Sequence, residues 1–165
     1  MCLHYSYVLI ICQSAAFCSS VRAVHLSNSS RSSGVSSTKS SSAKNCAIVT
    51  FISGMAWGVD IWAAEIVLRL KAERHPIHLI AAVPYEGFEH GWDDDWKRRY
   101  HAVLSAADFV KFICAHYHRG CFQIRNEWMV DRSARLIAAY TGEKGGTKNT
   151  VDYASRKGVQ TIFVL

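Results

Sequence analysis

The sequence has no Cys-x-x-Cys pair and no apolar run long enough to cross a membrane. Its six cysteines follow no regular spacing, and Cys46 and Cys114 lie in apolar runs, which is typical of reduced, buried thiols. The apolar run at residues 7–12 is too short to span a bilayer, and no positive charge precedes it as in a signal peptide. We therefore expect a cytoplasmic protein that does not contact a membrane, with a targeting role for this run as the weaker alternative.

The second absence is a basic stripe of the kind that binds nucleic acid. The formal net charge is +6, but residues 1–45 hold four basic residues and no acid, so the remainder holds 15 basic against 13 acidic residues, a net of +2. A nucleic-acid-binding domain usually carries a concentrated positive surface of its own. The charge distribution therefore disfavours nucleic acid as a partner.

Two compositional regimes divide the chain. Ten of the sixteen residues from Ser27 to Ser42 are serine, and such a segment buries too little apolar surface to offset the entropy of ordering it. We predict a low-complexity, disordered segment over residues 1–45 and one folded domain over residues 46–165.

Hydrophobic periodicity in residues 46–165 predicts alternating strands and helices. The predicted strands are residues 47–52, 77–83, 109–114, 135–140 and 160–165, and the first helix has apolar residues at helical spacing from Val59 to Leu70. Later helices are predicted around residues 96–107, 124–129 and 149–157. Strands separated by helices indicate parallel pairing, so the fold class is α/β: a Rossmann-like open parallel sheet of about five strands, flanked by helices.

Two glycine-bearing loops follow predicted strands, at the sheet edge where α/β proteins bind ligands. The first runs from Ser53 to Asp60 and the second from Gly142 to Thr150. Glycines permit close approach of a ligand, and a helix N-terminus offers N–H groups to a phosphate. A tight turn without a ligand, or a cap of the last helix by Thr147, Asn149 or Thr150, is the alternative. The candidate phosphate- and ligand-binding residues are Ser53, Gly54, Met55, Gly58, Asp60, Arg125, Asn126, Gly145, Gly146, Thr147 and Asn149.

Charged residues between these loops allow more than one interpretation. Arg125 can clamp a phosphate or form a surface ion pair, and Asp131 can pair with a nearby arginine. Asp60 can act on the helix dipole, and Glu65 can pair with Arg69 one turn away.

No metal site is expected. The cluster of Cys114, His116, His118 and Cys121 fits no standard zinc spacing. The acids at 93–95 are typical of a helix N-terminus rather than of a magnesium site. We expect no cofactor.

Three segments carry a family resemblance. Residues 53–65, Arg125-Asn126 with residues 129–133, and residues 145–150 with Tyr153-Ala154 resemble the signature of the YpsA-like family of the SLOG superfamily. That superfamily includes DprA and the Lonely-guy phosphoribohydrolases. The resemblance implies a Rossmann-like fold that binds a small nucleotide or nucleotide-derived phosphorylated ligand, without an established reaction, and a possible homo-oligomer.

Two departures from the family keep other functions open. The usual first strand with a Gly-His-Arg motif is not visible, so a truncated or mis-started remnant is one alternative. The phosphoribohydrolases carry a catalytic glutamate after their glycine motif, whereas this chain has Asp152 or Tyr153 near that position. An N-glycosidic hydrolase of nucleoside monophosphates, using Glu65 or Asp152 as its acid, is a second alternative. A DprA-like nucleic-acid binder is a third.

Overall fold

The fold is a three-layer α/β/α arrangement around one six-stranded sheet. The computed structural model describes residues 49–164 and the backbone of residues 7–12. The predicted disorder of residues 1–45 therefore falls largely outside the described residues. The strands are β1 (Tyr7–Cys12), β2 (Val49–Ser53), β3 (Ile77–Val83), β4 (Phe109–Phe112), β5 (Arg135–Ala139) and β6 (Gln160–Phe163). The helices in the described part are α1 (Val59–Ala72), α2 (Asp94–Ala106), α3 (Cys121–Val130) and α4 (Gly146–Arg156).

The five strands predicted from the sequence all run in one direction, in agreement with the α/β fold class. The strand order is β4-β3-β2-β1-β5-β6, and the pairs β2–β3, β3–β4 and β5–β6 are parallel. Strand β1 lies between β2 and β5 and is antiparallel to both, with Leu9 opposite Ser53 and Tyr7 opposite Ala139. The sheet is therefore mixed, with β1 as the antiparallel strand among the six.

Strand β3 shows how the sequence produces the three layers. Leu79, Ala81 and Val83 pack in one buried cluster with α1 and α2, whereas Ile80 and Ala82 pack in another with α3 and α4. Alternate residues of a strand point to opposite faces. A continuous apolar run is therefore needed, and Pro84 follows directly after its end. Both faces of the sheet centre are covered, as expected for parallel strands.

The edge strands are less buried than the sequence predicts. The last two residues of β4 are exposed, and three of the four residues of β6 are exposed. Cys114 is partly buried beyond the end of β4, and Cys121 is the fully buried free thiol. Hydrophobic composition alone does not distinguish an edge strand from a central one, because both need apolar residues on at least one face.

Candidate functional site

The helices α1 to α4 each follow a strand of the parallel set, so their N-termini lie at the edge where those strands end, which we call the carboxyl edge. The N-terminus of α2 is capped by Asp93, whose side chain accepts a hydrogen bond from Trp96 N–H at 3.0 Å. The other three helices begin after Gly58, Gly120 and Gly145, and none of these has a side-chain cap. Unpaired N–H groups at such helix starts are potential anion ligands.

The first glycine loop, residues 53–60, is held together by its own side chains. Ser53 Oγ accepts a hydrogen bond from Met55 N–H at 3.1 Å and donates to the Asp60 carbonyl at 3.0 Å. Asp60 Oδ2 accepts a hydrogen bond from Ala56 N–H at 3.2 Å. The N–H groups of Met55 and Ala56, which belong to the loop that the sequence suggested for phosphate binding, therefore donate hydrogen bonds within the loop instead. Asp60 is buried and shapes the turn, instead of merely complementing the helix dipole at the surface.

Arg125 joins this loop to α3. Its Nη1 donates to the Gly54 carbonyl, and a Cβ on Gly54 would lie only 2.5 Å from Nη1 and 2.7 Å from Asp60 Oδ2. Burial lowers the pKa of the Arg125 guanidinium, while the charge of Asp60 raises it. Arg125 is 6% exposed, so its alternative interpretation as a surface ion-pair partner is wrong. Its Nε has no hydrogen-bond partner among the described residues.

The second glycine loop, residues 142–150, is open. A Cβ on Gly145 or Gly146 would meet no atom within 4 Å. The helix α4 begins at Gly146 with no side-chain cap and no acid in its first turn. The expectation that Thr147, Asn149 or Thr150 caps this helix is wrong: Thr150 Oγ1 donates to the Gly146 carbonyl at 2.8 Å, one turn back inside the helix. Thr147 is buried and Asn149 is exposed.

Consecutive residues of α3 reach the two loops. Arg125 contacts Gly54, and the Asn126 Nδ2 donates to Thr150 Oγ1 at 2.9 Å. Because neighbouring Cα atoms are about 3.8 Å apart, the structure brings both loops against one short stretch of α3, at the same edge of the sheet. The sequence singled out both α3 residues but not the bonds that they form.

Both candidate catalytic acids are ion-paired. The Glu65 carboxylate accepts hydrogen bonds from Arg99 Nε and Nη2 at 2.8 and 2.5 Å, so its partner lies on α2 and is not Arg69. Asp152 pairs with Lys148 one turn earlier on α4, at 2.5 Å. A catalytic role for either acid stays a prediction.

Other charged residues have structural partners. Asp131 bonds to Lys157 at 2.8 Å and to Tyr153 at 3.0 Å, rather than to the arginine expected from the sequence. Within residues 49–164 no three His, Cys, Asp or Glu side chains come together as a set of metal ligands. No helix in this described part is long and apolar enough to cross a membrane.

An aromatic surface at the carboxyl edge was not anticipated from the sequence. Tyr85 follows β3, Tyr117 follows β4, and Phe122 lies in the first turn of α3; we call these three the aromatic triad. Their ring centroids are 5.4 Å apart for Tyr85–Tyr117, 6.1 Å for Tyr85–Phe122 and 6.4 Å for Tyr117–Phe122. The sequence did contain a signal for this surface, since an aromatic residue follows each of the strands β3 and β4. These strands are parallel neighbours, so the residues that follow them lie at the same edge of the sheet.

Comparison with known sequences gives a family match over most of the chain. The sequence model of YpsA, described as "YspA SLOG family", matches residues 40–161. Both glycine loops, all four helices and the aromatic triad lie inside this range.

The similar curated proteins carry uncharacterised-family names. A UPF0398 protein of Halalkalibacterium halodurans is 38% identical over 98 residues, covering 58% of this chain and 51% of that protein. UPF0398 proteins of Bacillus thuringiensis and Bacillus cereus are each 34% identical over 110 residues, covering 65% of this chain and 59% of theirs. The chain thus spans between half and three fifths of the length of these relatives.

Proposed function

Because the chain belongs to the YpsA family of SLOG proteins, we propose that it binds a nucleotide or nucleotide-derived phosphorylated ligand at the carboxyl edge, with the phosphate at the N-terminus of α4. The observation that carries this proposal is the open start of that helix. Gly145 and Gly146 face unoccupied space, and the helix has neither a side-chain cap nor an acid in its first turn. Its N–H groups and dipole favour an anion.

The other helix starts at this edge support the choice of α4. The start of α3 also lacks a side-chain cap and a first-turn acid, but there the Gly120 N–H already donates to His118 Nδ1 at 3.2 Å. The α2 N-terminus carries the Asp93 cap and two further acids in its first turn. The α1 N-terminus is already occupied by the buried side chain of Asp60, whose Oδ2 accepts the Ala56 N–H at 3.2 Å. We therefore assign the phosphate to the second loop, and we assign to Arg125 the role of fixing the first loop beside it.

The bond from Asn126 to Thr150 holds α4 against α3. Thr150 in turn bonds to the Gly146 carbonyl, so the first turn of α4 is fixed before any ligand arrives. A preformed site loses little entropy on binding. The proposal comprises binding and no reaction.

The test replaces Gly145 with aspartate. The Gly145 φ of 163° is extended backbone that any residue adopts, and a Cβ there meets nothing. Aspartate is a preferred N-cap residue, so the variant should fold at least as stably as the parent. Its carboxylate occupies the phosphate position, and we expect at least a tenfold loss of affinity for ribonucleoside monophosphates in calorimetric titrations of the full chain.

The matched control is Ser155→Asp, which adds the same charge near the opposite end of α4. Ser155 is exposed and lies ten residues beyond Gly145, about 15 Å away. It should leave affinity within about twofold, since charges beyond a Debye length of about 8 Å are largely screened. Absence of binding to all four ribonucleoside monophosphates and to ribose 5-phosphate by the parent chain would refute the proposal. Equal losses in the two variants would refute the assignment to α4.

A further inference from the structure

We infer that the aromatic triad of Tyr85, Tyr117 and Phe122 is the subsite that stacks against the base of the bound nucleotide. This inference rests on the proposed function and adds to it the part of the ligand that this chain selects. It starts from exposure: Tyr117 is 64% exposed and Phe122 is 39% exposed. Large aromatic side chains placed side by side at a surface are typical of binding sites.

The triad is anchored on its inner side. Phe88 packs against Tyr85 and Phe122, each at a centroid distance of 5.9 Å, and against Trp92 at 4.9 Å. Trp92 in turn contacts the fully buried ring of Tyr100 at 5.4 Å. The outer rings therefore rest on core rings, and a flat ligand can stack on them with little loss of side-chain entropy.

Helix α3 connects the triad to the phosphate position. Phe122 and Asn126 are four residues apart on this helix, so their side chains are neighbours about 6 Å apart along its axis. Asn126 bonds to Thr150, and Thr150 bonds to the carbonyl of Gly146 at the start of α4. Phe122 and Gly146 thus lie at the starts of two joined helices at the same edge, with the Asn126–Thr150 bond one turn further inside. Rings at one helix start and an open N–H cluster at the other match the base and the phosphate, the two ends of a nucleoside monophosphate.

The triad presents ring faces and the hydroxyls of Tyr85 and Tyr117, and because each hydroxyl can donate or accept, these groups do not single out one base. Stacking is tolerant of base identity because every base has a π-face. We expect the four ribonucleoside monophosphates to bind within about tenfold of one another, and all of them more tightly than ribose 5-phosphate, which lacks a base.

The experiment compares Phe122→Ala and Tyr117→Ala in the full chain with each other and with the parent. Stacking losses of this kind correspond to roughly tenfold weaker binding per ring. We expect that loss for nucleoside monophosphates and a change below about twofold for ribose 5-phosphate. Phe163→Ala is the matched control, because Phe163 is 53% exposed on β6 and outside the triad. Phe122→Tyr keeps an aromatic ring and should restore nucleotide affinity.

The outcomes separate this inference from the proposed function. If ribose 5-phosphate binds but nucleoside monophosphates bind no better, or if the alanine variants lose affinity for both equally, the triad is not a base subsite while the phosphate site stands. If neither ligand binds the parent chain, both proposals fail. If Phe122→Ala instead dissociates an oligomer in sedimentation and leaves nucleotide affinity unchanged, the triad is covered by a second copy and the inference is wrong.

Discussion

The two glycine loops both join a strand to a helix, but their surroundings are opposite. In the first loop, the hydrogen that replaces a side chain on Gly54 makes room for Arg125 and Asp60 of the same chain. In the second loop, no protein atom lies in the space that a side chain on Gly145 or Gly146 would enter. A glycine at a strand–helix junction therefore serves either internal packing or access by a ligand. The space around the missing Cβ distinguishes the two uses, and the spacing of the glycines does not.

Replacing Arg125 by methionine should remove the contact that holds the first loop, and we expect the largest loss of stability from this variant. The substitution leaves the Asp60 carboxylate buried without its compensating charge, which typically costs about 3–5 kcal/mol of the free energy of unfolding. Urea denaturation of the purified variant measures this loss.

Two further variants identify the cause of that loss. Arg125→Lys keeps the charge and should be less destabilising, and Asp60→Asn in the Arg125→Met background should recover part of the stability. A loss below about 1 kcal/mol for Arg125→Met would mean that the first loop does not depend on this contact.

Alanine at Gly54 and at Gly146 gives the sharpest contrast between the loops. At Gly54 the new methyl group would lie too close to Arg125 Nη1 and Asp60 Oδ2. Both buried side chains would have to shift from their contacts with the loop, so we expect a loss of about 1–3 kcal/mol. At Gly146 the methyl group enters open space in a helical residue, so we expect a gain of up to about 1 kcal/mol. Thermal unfolding of the two variants side by side measures both changes in stability. A loss of stability for Gly146→Ala would show that the protein does occupy the space beside Gly146.

Asp108 provides a smaller effect at the opposite edge of the sheet. Burial raises the pKa of its carboxyl group, but hydrogen bonds from Lys71, Leu79 N–H and His78 outweigh burial and hold the pKa below its usual value. A lowered pKa in the folded state stabilises the protein at neutral pH, and this stabilisation is lost as the pH falls through that pKa.

Asp108→Asn should therefore cost about 1–2 kcal/mol at pH 7, and the difference from the parent should shrink at pH 3. Asp108 bonds to Leu79, and Gly54 follows Ser53, which pairs with Ala81. The two sites are therefore about 10 Å apart along β3, and the cost of Asp108→Asn should add to that of Gly54→Ala within about 0.5 kcal/mol. A deviation from additivity larger than this would show that the stability of the first loop depends on Asp108 at the opposite edge of the sheet. The difference between the two loops could then not be ascribed to their local surroundings alone.

Local sequence patterns predicted most of the fold. Strand β3 was predicted with its observed bounds, because a buried parallel strand is a continuous apolar run and Pro84 follows its end. The start of α4 was predicted three residues late, at Asn149, because glycine is a poor helix former and Gly146 was assigned to the loop. The direction of β1 was not predictable, since neither orientation of a short apolar strand has a local signature in the sequence.

The candidate site was predictable in its position but not in its contacts. The order of strands and loops places Gly54 and Gly145 at one edge, and this required only the rule for parallel sheets. The bond between Arg125 and Gly54 spans 71 residues, and that between Arg99 and Glu65 spans 34. Such pairs depend on how α3 and α2 pack, and helix periodicity gives no information about side chains on a different element.

The position of β1 makes the two halves of the sheet depend on a single strand. On one side lie β2, β3 and β4, and on the other lie β5 and β6. Without β1, both β2 and β5 would present rows of unpaired N–H and C=O groups. Loss of β1 alone would thus divide the sheet into a three-stranded and a two-stranded piece, each with a newly exposed edge.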